Sequence, residues 1–107
     1  MAGPYRVVLV TAPDAKIARK LAVGLVARRL AACVNEVPGL TSHYRWKGKL
    51  CSDREILLII KTRAALFPKL KRFVRENHPA QVPELISLDI REGSRDYLAW
   101  LSQETRA

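Results

Sequence analysis

This sequence has few cysteines and no long apolar run. Its 107 residues include only two cysteines, Cys33 and Cys51, which are too few for a disulfide framework. No apolar run approaches the ~18 residues of a membrane span. The first residues also lack the basic segment, long apolar core and cleavage site of a signal peptide. We therefore expect a cytoplasmic protein without a membrane partner.

Acidic residues are also scarce. The chain has 10 Asp and Glu against 19 Lys and Arg, which gives a net charge of +9. Such a balance suits a polyanion as partner. The basic residues are spread along the chain, however, and no run of five like charges occurs. This spread favours a soluble basic protein, and we expect no nucleic-acid partner.

The length and the 49% of hydrophobic residues fit a single domain over residues 1–107. A β-branched strand over residues 5–11 precedes a helix that Asp14 caps and that ends near Arg29. A second helix over residues 64–77 contains Pro68, so its first turn is irregular or it begins later. A strand over residues 84–90 and a short helix capped by Ser94 follow.

The most informative stretch, residues 31–62, reads as one long hairpin with a tight turn at Lys47-Gly48. Pro38-Gly39 interrupts its first arm and predicts a bulge. A hairpin this long overhangs so small a domain, and its edge and aromatic face need another chain to cover them. The pairs expected across the turn are Trp46 with Lys49, Tyr44 with Cys51, and Ser42 with Asp53.

The order strand, helix, strand, strand, helix, strand, helix predicts an α+β sandwich of the ferredoxin-like βαββαβ type with an added C-terminal helix. An RNA-recognition domain has the same order but needs stacking aromatics on its first and third strands. Residues 7–10 and 54–60 contain none. A phosphate-binding hydrolase on this fold needs a glycine-rich loop after the first strand, and residues 11–14 contain no glycine.

The hairpin and the segments after it also resemble a known family, the CutA divalent-cation-tolerance proteins, and the animal members most of all. The resemblance covers nearly the whole chain, and the spaced motif in the hairpin is highly specific. Cys51 is not a feature of that family. The matching residues are Ala31-Ala32-Cys33-Val34-Asn35, Pro38, Ser42, Tyr44, Trp46, Gly48-Lys49, Glu55, Lys61-Thr62, Phe73-Val74, His78-Pro79, Val82-Pro83-Glu84, Tyr97-Leu98 and Trp100.

The resemblance implies a ferredoxin-like subunit in a tight homotrimer, in which the hairpins of neighbouring subunits extend one another's sheets. It implies binding of divalent metal, copper above all, and a link to metal tolerance. It also implies no established catalytic activity and no required cofactor. Animal members are associated with acetylcholinesterase processing and anchoring, so a purely structural or partner-binding trimer is the alternative function.

Two residues are candidate metal ligands. The thiolate of Cys33 suits copper, although free cysteines often serve as small buried apolar residues. His78 lies in a proline-bounded loop and offers an imidazole, although it also suits a histidine bonded to carbonyls at a helix end. No CxxC or HxxxH spacing supports either residue, so a site needs ligands gathered by folding or between subunits. The residues assigned to the trimer interface are Tyr44, Trp46, Glu55 and Lys61.

Overall fold

The computed structural model describes residues 3–106, which form one four-stranded sheet with helices on its faces. The strand order is β2-β3-β1-β4, and every neighbouring pair is antiparallel. This arrangement is the ferredoxin-like fold that the sequence predicts. The elements are β1 (Tyr5–Ala12), α1 (Ala15–Ala27), β2 (Cys33–Trp46), β3 (Lys49–Arg63), α2 (Phe67–Asn77), β4 (Ile86–Asp89) and α3 (Arg95–Glu104).

The core lies between the sheet and the pair α1 and α2. Side chains alternate along a strand, so every second residue of β1 and β3 faces these helices. Helices α1 and α2 pack apolar residues at helical spacing against the sheet, and this packing removes the side chains from water. The fully buried side chains of this core include Val8, Val10, Leu58, Ile60, Leu21, Leu25, Leu66, Leu70 and Val74.

Helix α3 lies against the opposite face of the sheet. Tyr5 and Arg63 point away from α1 and α2, and both bond to residues at the end of α3. The Tyr5 hydroxyl lies 2.8 Å from Ser102 Oγ, and Arg63 Nε donates to Thr105 Oγ1 at 2.8 Å. This helix therefore covers only one end of a face that is otherwise open.

The predicted caps form as expected. The Asp14 carboxylate accepts a hydrogen bond from the Ile17 N–H at 2.9 Å, and Ser94 Oγ accepts one from the Tyr97 N–H at 3.3 Å. A 3₁₀ turn precedes α2, so Pro68 falls in the first helical turn, where its missing N–H costs no hydrogen bond. The prediction of an irregular start is confirmed.

Strand β4 is shorter than predicted. It spans four residues rather than residues 84–90, because it pairs only with residues 6–9 of β1. Helix α1 likewise ends at Ala27, and Arg29 leaves the helix in the left-handed region with φ 57°. Both differences concern element ends, where the chain turns away from its partners.

The hairpin has the predicted register, with Trp46 opposite Lys49 and Tyr44 opposite Cys51. Lys47 and Gly48 both have positive φ, 49° and 78°, as a type I′ turn requires. The predicted bulge lies between Val37 and Leu40. Strand β1 pairs only with residues 56–63 of β3, so the outer half of the hairpin has no other neighbouring strand among the described residues.

Candidate functional site

The overhanging part of the hairpin carries an exposed aromatic face. Tyr44 and Trp46 are 42% and 38% exposed, although both are paired with residues of β3. Strand β2 is also an outer strand of the sheet, so its outer edge pairs with no described strand. An unpaired edge and exposed aromatics are features that proteins normally cover. The residues on this open face are Leu40, Ser42, Tyr44, Trp46, Lys49, Cys51, Asp53 and Glu55.

Tyr44 is tied to the other arm of the hairpin. Its hydroxyl donates a hydrogen bond to the Asp53 carboxylate, two residues along β3 from its direct partner, Cys51. This hydrogen bond is the main cause that raises the pKa of Tyr44 to about 12, and removal from water and nearby negative charge add to it. The phenol therefore stays protonated and continues to donate at neutral pH.

A cleft of about 650 Å³ lies between the open face of the hairpin and the loop that follows α2. The loop borders the hairpin across this cleft although it lies far away in sequence. Four of the predicted site residues, Tyr44, Trp46, Glu55 and His78, line this cleft together. Sequence reasoning missed the loop residues, because only the tertiary fold brings them to the hairpin. These added lining residues are Ala80, Gln81, Val82, Pro83 and Glu84.

Both ring nitrogens of His78 already have partners. Nδ1 accepts a hydrogen bond from the Ala80 N–H at 3.0 Å, so Nε2 carries the proton and donates to the Thr11 carbonyl at 2.7 Å. The bond to Thr11 holds the loop against the end of β1, and the bond from Ala80 fixes the ring within the loop. In this arrangement His78 has no free lone pair for a metal ion.

Cys33 lies near the opposite end of the open face. It is half-buried and sits across from Lys61 in the ladder between β2 and β3. Its sulfur is 3.9 Å from Asn35 Oδ1, to which Lys61 also donates a hydrogen bond. Partial removal from water raises the pKa of Tyr97 on α3, and its proximity to Cys33 adds to the shift. The thiol therefore lies in a small polar cluster under the last helix.

The two candidate ligands do not share a site within one chain. Thr11, which His78 contacts, is opposite Leu57, whereas Cys33 is opposite Lys61. Four residues along a strand span about 13 Å, too far for one ion. Across residues 3–106 no group of three His, Cys, Asp or Glu side chains is placed to hold a metal. The residues present therefore do not fit a complete metal site in a single chain.

Glu55 and Lys61 are also further apart than a shared polar pocket with Tyr44 requires. They lie on the same strand six residues apart, or about 20 Å. Lys61 bonds to Asn35, and Glu55 faces the cleft. Within one chain the two residues therefore lie apart, and their assignment to the trimer interface stays a prediction.

No helix within residues 3–106 is long and apolar enough to cross a membrane.

The free thiol of Cys51 lies at the far end of the hairpin, and its sulfur is 3.8 Å from the Lys49 carbonyl. This position is remote from Cys33, so the two cysteines lie in different parts of the same open face.

The comparisons of this chain with known proteins all identify the same family. The family model described as CutA1 divalent ion tolerance protein matches residues 6–104. The divalent-cation tolerance protein CutA of Thermus thermophilus is 54% identical over 99 residues, covering 92% of this chain and 96% of the relative. Human protein CutA is 45% identical over 105 residues, which is 98% of this chain and 59% of the human protein. The likeness is thus not specific to animal members.

Solved structures agree with the fold. The Thermus thermophilus protein superposes with a TM-score of 0.94 at 53% identity, covering 95% of this chain and 99% of that one. CutA1 from Oryza sativa gives a TM-score of 0.94 at 47% identity, covering 98% and 96%. The chain spans about three-fifths of the length of its human relative and nearly all of its Thermus relative.

Proposed function

Because the chain belongs to the CutA1 divalent ion tolerance family, we propose that it is a non-enzymatic homotrimer that binds copper and acts in divalent-cation tolerance. The main observation in support of a trimer is the overhanging hairpin, whose edge and aromatic face are uncovered in one chain. The Thermus thermophilus relative is named as a tolerance protein rather than as an enzyme. Oligomeric state and copper affinity are the two measurements that test this function.

Two edges of the sheet support the assembly. The outer edge of β2 and the short edge of β4 lie at opposite ends of the strand order, so copies can join head to tail. Such contacts between unlike surfaces close into a ring when the rotation between copies allows it. Ile86 and Leu88 on β4 are each 50% exposed and share the open face. Burying them and the hairpin aromatics favours association.

The metal site is proposed to form between copies around the Cys33 thiol. Thiolate is a good ligand for copper. Since one chain lacks a set of three ligands within the described residues, a neighbouring copy has to complete the coordination. His78 can join such a site only by giving up one of its two hydrogen bonds. Cys33 is therefore the stronger of the two candidates.

Copper titration of the assembled protein tests this assignment. We expect Cys33→Ser to lower the affinity for copper at least about tenfold, since even residues that only support a ligand have effects of this size. Cys51→Ser is the matched control, because it removes the other free thiol, and its affinity should equal that of the wild type. His78→Ala tests the second ligand separately. Equal copper affinity in all four proteins would show that the metal assignment is wrong.

The second candidate function is a trimer that acts through a protein partner and binds metal only incidentally. The engaged ring nitrogens of His78 favour it, because they give this residue a structural role. It predicts that Cys33→Ser leaves partner capture unchanged while the trimer remains intact. The copper titration separates it from the first candidate.

A further inference from the structure

The helix layer gathers basic residues that are far apart in sequence. Helix α1 and its C-cap carry four of them, and α2 carries four more. Helix α1 contains no acidic residue, and α2 contains only Glu76. We call this surface the helix face. Its basic residues are Lys16, Arg19, Lys20, Arg28, Lys69, Lys71, Arg72 and Arg75.

Close packing of the two helices makes this one surface. Gly24 of α1 lies directly against the Phe73 ring of α2, so closely that an added Cβ would overlap it. The Arg28 guanidinium sits 4.6 Å from the centre of the same ring. Both helices turn their buried stripes, which include Leu21 and Leu70, toward the sheet. Their charged sides therefore point outward together.

Most of this charge has no neutralising partner. Of the eight residues, only Arg19 forms an ion pair within residues 3–106, with Glu36 at 3.1 Å. The acidic side chains Asp53 and Glu55 lie on the other face of the sheet. The helix face thus carries an excess of positive charge with few acidic neighbours, and a surface of this kind attracts polyanions.

We propose that the helix face binds the phosphate backbone of duplex DNA without reading its sequence. Side chains four residues apart on a helix, such as Lys16 and Lys20, are separated by about 6 Å along the axis. The rigid rows of cations on the two helices face a DNA surface that carries one charge per about 1.7 Å of axis. No aromatic residue projects from the outer side of either helix, so base stacking is absent from the interaction.

An anionic membrane fits this face less well. Helices that lie in a membrane surface insert bulky side chains such as Trp, Phe or Leu. The large exposed apolar side chains of α1 are only Val23 and Val26, and α2 has none. The expectation of no nucleic-acid partner rested on spacing along the sequence, and the packing of α1 on α2 removes that argument. The helix face lies across the sheet from the hairpin aromatics proposed for assembly, and the residues that form it all come from one chain, so this proposal does not depend on the trimer.

Binding to a fluorescently labelled duplex at different salt concentrations tests the proposal. The face variant is Lys20→Gln/Arg72→Gln/Arg75→Gln. The control variant, Lys49→Gln/Arg91→Gln/Arg95→Gln, removes the same charge away from the helix face. We expect the face variant to lose at least about tenfold in affinity at about 50 mM salt, and its log–log salt slope to become shallower by about 3, since each lost phosphate contact contributes about 0.9. The control should bind within about twofold of the wild type.

Three results would overturn the proposal. One is the absence of duplex binding by the wild-type protein at about 50 mM salt. Another is an equal loss in the face and control variants, which would mean that net charge alone matters. The third is unchanged duplex binding by the face variant combined with lost binding to phosphatidylserine vesicles, which would make the partner a membrane. Circular dichroism of both variants ensures that folded proteins are compared.

Discussion

The phenol of Tyr44 and the carboxylate of Asp53 link the two arms of the hairpin beyond the body of the domain. Since this hydrogen bond needs a protonated phenol, it raises the pKa of Tyr44 to about 12. A raised folded-state pKa means that its contribution to stability is complete below the ordinary value of 10.0 and is lost as the pH rises through about 12. The link is therefore intact throughout the physiological pH range.

Replacing Asp53 tests this link directly. We expect Asp53→Asn to lower the pKa of Tyr44 toward its ordinary 10.0, because the main cause of the shift is removed. Glu55→Gln is the control, and it should lower the pKa much less, since Glu55 is the weakest of the causes. Ultraviolet absorbance of the phenolate follows the titration, and Tyr44→Phe identifies which transition belongs to this residue. A Tyr44 pKa that is the same in wild type and Asp53→Asn would contradict the account.

Single residues also show where sequence reasoning stopped. Cys33 and His78 were both recognised as chemically able to bind metal, yet the ladder places them at separate ends of the open face. A carbonyl partner for His78 was one of the alternatives from sequence, but Thr11 and Ala80 could not be named, because they depend on how a proline-containing loop folds back on β1. Residue type indicates capacity for a reaction, whereas the fold decides which residues meet.

At the scale of elements, the contact between α1 and α2 depends on a missing side chain. Glycine inside a helix usually costs about 1 kcal/mol relative to alanine. At Gly24, however, an added Cβ would overlap the half-buried Phe73 ring. The close approach of the helices offsets the poor helix propensity, and it also holds Arg28 over the ring.

We therefore expect Gly24→Ala to lower the free energy of unfolding by about 1 kcal/mol, because the cost of overpacking, about 1–3 kcal/mol, exceeds the gain in helix propensity. Chemical denaturation at one fixed protein concentration measures the change. In a Phe73→Leu background the same substitution should stabilise the protein, since the ring is gone. A stabilising effect of Gly24→Ala in the wild-type background would show that the helices do not pack as described.

Elements with strong local patterns were predictable from sequence, and those that depend on distant partners were not. The alternation of residues around Lys47-Gly48 determined the register of the hairpin, because a slip by one residue would reverse both faces. The ends of β4 could not be predicted, since they depend on how far β1 runs alongside. The cleft under residues 80–84 was missed for the same reason.

The whole molecule has two different sides. One side carries the helix face, with the basic residues of α1 and α2, and the other carries the open sheet face with the hairpin aromatics. The family and the fold were accessible from sequence motifs, and both are confirmed. The gathering of cations on the helix face was not, because the cations of α1 and α2 are about fifty residues apart along the chain. We propose a separate partner for each side, duplex DNA for the helix face and further copies of this chain for the open face.

Assembly through the hairpin is the central claim, and Trp46 is the side chain that tests it. Truncating a buried aromatic anchor at an interface costs about 2–4 kcal/mol. Trp46→Ala should therefore weaken trimer association at least about thirtyfold. Val23→Ala changes an exposed residue on the helix face, 58% accessible, and should leave association unchanged.

The most direct measurement is native mass spectrometry of the wild-type protein at micromolar concentration, beside Trp46→Ala and Val23→Ala. The account predicts a trimer for the wild type and Val23→Ala, and a larger fraction of smaller species for Trp46→Ala. A stable wild-type monomer would contradict assembly altogether. A trimer that dissociates equally in wild type and Trp46→Ala would contradict the role given to the hairpin.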